Sequence, residues 1–128
     1  MNTRVYLGEI VNDVRTVVYV YEGERVNLVA WANEIAEMDD PGIMWGDCSP
    51  GTIVLAGMML LHASGSPTAA LHLAPHFATD YLARLHGDFA IKRDEIYRWI
   101  ERKRQLLRTM VDMFGAVDGG QIPPPSLN

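Results

Sequence analysis

The stretch IMWGDCSPGTIVLAGMMLLHASG, residues Ile43 to Gly65, allows only two placements. After a tryptophan and a glycine-punctuated turn it runs nearly without polar interruption for about a dozen residues, which makes it a buried helix or a membrane segment. Spanning a bilayer takes roughly 20 apolar residues, so the run is too short. It is therefore a core helix, over about 50–63, and the rest of the chain has to wrap it. Ser49-Pro50 supplies a capping residue followed by proline at the first helical position. Gly65 supplies the stop.

On the N-terminal side, Arg4 to Gly8 is a short strand, and Asn12-Asp13 a polar turn. Thr16 to Tyr21, β-branched and aromatic throughout, is the best strand in the chain. A turn at Glu22-Gly23-Glu24 leads to a third candidate strand, Arg25 to Leu28. Leu28, Ala32, Ile35 and Ala36 then recur at helical spacing with Asn27 as N-cap, which predicts a helix over 28–38. Met38-Asp-Asp-Pro-Gly42 breaks it.

On the C-terminal side, Ser66 and Pro67 open another helix whose apolar face runs from Ala70 to Leu85, with Pro75 inside it expected to kink or split it. His86-Gly87-Asp88 closes that segment, and Phe89 to Ile91 reads as an extended connector. A last helix begins near Arg93 with Asp94 and Glu95 in its first turn, and Gly115 ends it. The expectation is an α+β fold: a small N-terminal antiparallel hairpin or meander packed on three to four helices, the last one long. Residues 1–115 form one domain and 116–128, rich in Pro and Gly, a flexible tail.

Composition agrees with one soluble globular domain. The 128 residues are 48% hydrophobic and 21% charged, unlike a disordered chain. Cys48 is alone, so no intramolecular disulfide can form, and the N-terminus has no apolar run after a basic start. A cytoplasmic location is the expectation. The net charge of −5 hides an asymmetry: residues 1–91 hold four arginines against eleven acids, and residues 92–128 seven basic residues against five acids. An acidic body opposes non-specific binding to nucleic acid or anionic lipid and suits a basic protein partner.

Several residues together suggest a relative. Val5-Tyr6-x-Gly8, Trp45-Gly46, Gly51, Leu55-Ala56 with Leu60-Leu61, Ala63-Ser-Gly-Ser-Pro67, Gly87-Asp88-Phe89, Asp94-Glu95-Ile96 and Trp99-Ile100 resemble a domain-of-unknown-function family of small bacterial and phage proteins. Its central helix is of the WGYGGSGPxQLALALL type. The likeness covers about residues 4–101. It implies a hairpin plus a helical bundle, often phage or prophage encoded, and no known activity. Cys48, Ser49, Pro50, Thr52 and Val54 depart from the family's glycine turn, and residues 102–128 have no counterpart in it.

Four chemistries compete with plainer readings. Gly46 to Gly51 before a helix start could hold an anion, but it lacks a GK[ST] ending and Asp47 would repel phosphate. Cys48 could be a nucleophile, but no elbow motif accompanies it. His72, His76 and Asp80 share a helix face with metal-ligand spacing, but Pro75 disturbs that spacing. The basic helix from Arg93 to Arg108 superficially suggests a helix-turn-helix, yet its arginines point several ways. No cofactor or metal is expected.

The sequence thus favours a non-enzymatic protein-interaction protein, a phage-type accessory or anti-defence inhibitor by resemblance. Its acidic partner-binding surface would comprise Glu34, Glu37, Asp39, Asp40 and Asp47. A dimer interface would use Leu106, Leu107, Met110, Met113 and Phe114, where an apolar stripe continues beyond the family-like part. A DNA-binding regulator and a Cys48 enzyme are the alternatives.

Overall fold

The computed structural model describes residues 4–36 and 42–117. Within them β1 (Val5–Val11), β2 (Val14–Tyr21) and β3 (Glu24–Asn27) lead into α1 (Leu28–Ala36). Then come α2 (Pro50–Ser64), α3 (Pro67–Asp80), a 3-10 turn (Leu82–Arg84), β4 (Phe89–Lys92) and α4 (Arg93–Val117). The chain divides into two compact units, Met1–Tyr97 and Arg98–Asn128. It is an α+β fold.

The first unit is a four-stranded antiparallel sheet, ordered β3-β2-β1-β4, with helices on one face. Both hairpins use two-residue loops with positive φ at both positions, 51° and 63° at Asn12 and Asp13, 49° and 85° at Glu22 and Gly23. Such loops match the strand twist, and Asn, Asp and Gly tolerate that backbone best. The supposed connector Phe89 to Ile91 is in fact β4, which pairs with β1 from Val5↔Lys92 to Gly8↔Phe89. The small sheet is thus larger by one strand than the sequence suggests, because the strand's partner lies at the far end of the domain.

Tyr6, Val17, Tyr19 and Ile91 line the inner sheet face, all buried. Against them stands α2, buried at Thr52, Leu55, Ala56, Met58, Met59, Leu60 and Ala63. A helix apolar on nearly all sides has to be central. Gly65, at φ 71°, ends it with its N–H on the Leu61 carbonyl. Ser66 then caps α3 by accepting from the Ala69 N–H. Despite Pro75, α3 is one continuous helix from Pro67 to Asp80. The proline is exposed, and the carbonyl it leaves without an N–H, that of Leu71, belongs to a residue 75% exposed. The helix does stop short of Leu85, giving way at Tyr81 to the 3-10 turn that buries Leu82.

In the first turn of α4 Glu95 accepts from the Lys92 N–H at 3.1 Å, half of a capping box, and from the Tyr81 hydroxyl at 2.7 Å. In the second unit Trp99 and Ile100 are buried, and the Lys103 ammonium lies 5.9 Å from the Trp99 ring centre. Beyond them the helix exposes Leu106, Met110, Val111 and Met113. The tail expected from 116 contributes Ala116 and Val117 to α4, and residues 118–128 lie outside the described residues.

Candidate functional site

Several of the residues singled out in the sequence, Gly8, Trp45, Gly46 and Gly87 to Phe89, meet at one junction. Trp45, 1% exposed, donates its indole N–H to the Gly87 carbonyl at 2.7 Å and meets Phe89 edge-on, ring centres 4.8 Å apart. The Phe89 ring fills the space a side chain at position 8 would occupy, so Gly8 on β1 makes the seat for it. Asp88 accepts from the Ile10 N–H at 2.9 Å, continuing the β1–β4 edge where the ladder ends. Gly46, at φ 92°, donates its N–H to the Leu82 carbonyl, and a Cβ there would lie 3.0 Å from the Leu85 carbonyl. Residues from four parts of the chain thus pin sheet, α2 entry and α3 exit together.

Beside this junction the α2 entry is held by Asp47. Its carboxylate accepts from the Ser49 N–H at 3.0 Å and from the buried Thr52 hydroxyl at 2.7 Å. Ser49, the expected cap, makes no side-chain capping bond; Asp47, two residues earlier, reaches over it. These bonds, the Ser49 N–H foremost, hold the Asp47 carboxyl below its ordinary range, and Arg15 adds to the effect. The Arg15 guanidinium stacks on Trp45 at 5.3 Å, and its Nε finds no hydrogen-bond partner among the described residues. Cys48 is exposed.

A second cluster went unread in the sequence. His62, near the end of α2, sits among Tyr6, Tyr19 and Trp31, with ring centres 5.6, 4.4 and 4.7 Å away. The Tyr6 hydroxyl and His62 Nδ1 share a hydrogen bond of 2.9 Å. Burial, then the Arg93 charge, lowers the His62 pKa, and burial pushes the Tyr6 hydroxyl up. At the next residue, the Ala63 carbonyl accepts from Arg93 Nη2 at 2.8 Å and from the Tyr97 hydroxyl at 2.5 Å, a cation at the negative end of α2. The signal available for this cluster was a lone histidine in an apolar helix together with two tyrosines at inward positions of the hairpin.

Because its folded pKa lies below the ordinary 6.5, His62 takes up a proton more readily when unfolded. Its neutral form costs nothing above that value, and stability falls as pH drops through it, levelling off below the folded pKa. Thermal melts between about pH 5 and 8 are expected to show this loss in the wild type and a shallower slope in His62→Gln. Equal slopes would show that other groups set the acid limb.

A groove of about 390 Å³ opens between α1, α2 and α3, lined by apolar side chains including Ile53, Leu61, Leu71 and Pro75. Of the expected acidic surface, Glu34 is exposed on α1, Asp47 is tied into the α2 entry, and Glu37, Asp39 and Asp40 lie outside the described residues. Of the expected dimer stripe, Leu106, Met110 and Met113 are 52, 44 and 60% exposed. Leu107 is half-buried, and the Phe114 side chain lies outside the described residues. His72 and His76 are exposed, and among the described residues no three His, Cys, Asp or Glu side chains come together as a metal site would need. No helix among the described residues is long and apolar enough to cross a membrane.

Sheet, junction and central helix define a small α+β domain. The chain belongs to DUF6166, a family of unknown function, whose model matches residues 6–102. No curated protein and no solved structure matches it. The match ends ten residues into α4, so Lys103 to Val117 extend the helix beyond the shared domain.

Proposed function

We propose that this is a non-catalytic protein-interaction protein, an accessory or inhibitor of the phage-encoded type, that engages a basic partner through its acidic residues. The observation that carries the interaction reading is the outer half of α4, where Leu106, Met110, Val111 and Met113 all stand 44–69% exposed. Contiguous apolar surface of this kind marks an interface. The charge layout supports the choice of partner: eleven acids against four arginines over residues 1–91 favour a basic surface such as that of a nucleic-acid-binding protein.

The test immobilises the full-length chain and measures capture from lysate of the cell that harbours it. Reversing Glu34→Lys with Glu37→Lys is expected to lose the partner, while Arg98→Glu with Arg102→Glu keeps it. Retention of DNA by the wild type, lost in the arginine variant, would overturn this reading in favour of a DNA-binding regulator. Loss of function in Cys48→Ser at unchanged stability would favour an enzyme.

A further inference from the structure

The sheet is apolar on both of its faces. An antiparallel sheet with one face in water alternates apolar and polar residues along each strand, and β1 and β2 depart from that rule. Their inward positions Tyr6, Val17 and Tyr19 are buried. Their outward positions pair as Val5↔Val20, Leu7↔Val18, Glu9↔Thr16 and Val11↔Val14, and all but Glu9 and Thr16 are apolar. Val11 and Val14 are each 60% exposed, and Val5, Leu7, Val18 and Val20 are half-buried on the side away from α2. The edges of the sheet are less open than this face. The Lys92 N–H, on the outer side of β4, is held by Glu95 at 3.1 Å, and β3 is only four residues long.

The charges on the outer face fall in rows. Lys92 is opposite Val5 and Arg25 opposite Val20, so the first row reads Lys92, Val5, Val20, Arg25. The second, Ala90, Leu7, Val18, Asn27, is uncharged. The third holds Glu9 beside Thr16. Lys92, Arg25 and Glu9 are exposed, and among the described residues their side chains have no hydrogen-bond or ion-pair partner. Base and acid thus stand on opposite sides of the Leu7 row, each one row away from it. A surface laid out in this way matches a copy of itself turned end for end.

We infer that the outer face of the sheet is covered by the same face of a second copy, about a two-fold axis running across the strands through the row of Leu7 and Val18. The surface is distinct from the outer half of α4. Charge selects the axis. A two-fold along the strands would set Lys92 over the partner's Arg25 and Arg25 over the partner's Lys92, cation on cation at both ends of the row. The axis across the strands sets Leu7 and Val18 each on its own copy, and turns the first row of each sheet over the third row of the other. Stacked sheets lie about 10 Å apart and neighbouring strands about 4.8 Å, so each Lys92 reaches the partner's Glu9 from one strand over. Two symmetric ion pairs then flank an apolar centre, and the contact closes as a dimer. The footprint of four strands by seven residues, roughly 20 by 23 Å, is small against the ~800 Å² that a standard partner buries. The dimer is therefore expected to be weak, with a micromolar Kd.

Light scattering on the full-length chain tests the pairing. Glu9→Lys and Lys92→Glu are each expected to raise the Kd at least ~tenfold, because each turns both ion pairs into like-charge contacts. An equimolar mixture of the two variants is expected to dimerise as the wild type does, since each copy then offers the other the opposite charge at both pairs. With the axis along the strands, Lys92→Glu alone would meet the partner's Arg25 and tighten the dimer, an outcome that overturns the arrangement. A mixture that stays as weak as its parts overturns it too.

Leu7→Thr with Val18→Thr weakens the apolar centre, and threonine at Val18 keeps a strand-forming residue on a face the core does not use. The thermal midpoint is expected to hold while the dimer is lost. A monomer at every concentration up to about 1 mM, or a dimer indifferent to that double variant, overturns the inference. So does a dimer lost in Met110→Lys alone, which would place the contact on α4. A dimer lost in the double variant that captures no other protein would sink the functional reading and leave this one standing.

Discussion

Trp45→Ala is expected to cost ~3–5 kcal/mol, the range for truncating a large buried aromatic, and more than any other single substitution considered for this fold. The side chain is 1% exposed, bonds the Gly87 carbonyl, meets Phe89 edge-on and carries Arg15 on its face. Truncation opens a cavity, leaves a carbonyl without its donor and loosens the ring seated on Gly8. Against a total stability of about 5–15 kcal/mol for an ordinary domain, such a loss brings the protein to the edge of unfolding at 37 °C. Urea denaturation followed by circular dichroism measures it. Trp45→Phe keeps most of the volume and loses the indole N–H, so its cost should fall to ~1–3 kcal/mol. Equal costs for the two variants would mean that the hydrogen bond, and not the packing, dominates.

Two glycines of α2 should respond oppositely to the same change. A Cβ on Gly51 would run into the Gly42 carbonyl and lie 3.1 Å from the Met44 Cβ. Backbone has to move to admit it, because the Met44 N–H is bonded to the Gly51 carbonyl at 3.3 Å and holds the strap close. Gly51→Ala is expected to destabilise by ~1–3 kcal/mol, the usual cost of forcing atoms into a filled site. On Gly57 the added Cβ would meet only the Ala74 Cβ at 3.8 Å, an ordinary contact. There the helix propensity of alanine decides, and Gly57→Ala is expected to stabilise by ~0.5–1 kcal/mol. Chemical denaturation of both variants checks the pair. A destabilised Gly57→Ala would mean that α2 and α3 are packed more tightly than that distance implies.

The contrast illustrates what sequence reading can and cannot reach. Helix ends governed by neighbours in the chain were legible: Asn27 does cap α1 by accepting from the Ala30 N–H at 3.0 Å, Ser66 caps α3, and Gly65 closes α2. The hairpin turns were legible for the same reason. What depends on distant partners was not. Phe89 to Lys92 is four residues with no period to separate strand from connector, and only β1 makes it a strand. Asp47 reads as a surface acid until Thr52 folds back beneath it. The glycine turn before α2 looks like a ligand loop because glycine permits both close ligand approach and close packing. Here Gly42, Met44 and Leu85 occupy the space. On the apolar stripe of α4, period alone places the side chains, and their exposure becomes visible only once the shared domain is seen to finish near residue 102.

The β1–β4 pairing also bears on how the chain is made. β1 occupies an interior position of the finished sheet, yet β4 joins it from a part of the chain more than 80 residues later. At ordinary synthesis rates of roughly 5–20 residues per second, one side of β1 stays open for on the order of 3–14 s after its hairpin with β2 can form. For that interval the nascent protein presents Val5, Leu7 and Ile10 along a bare strand edge, the kind of edge that templates aggregation. Arrival of Gly87, Asp88 and Phe89 closes it, with Asp88 on the Ile10 N–H and the ring on Gly8. Trp45, made halfway through, waits for the same three residues. The junction of Gly8, Trp45 and Gly87 to Phe89 can therefore close only once β4 has been made.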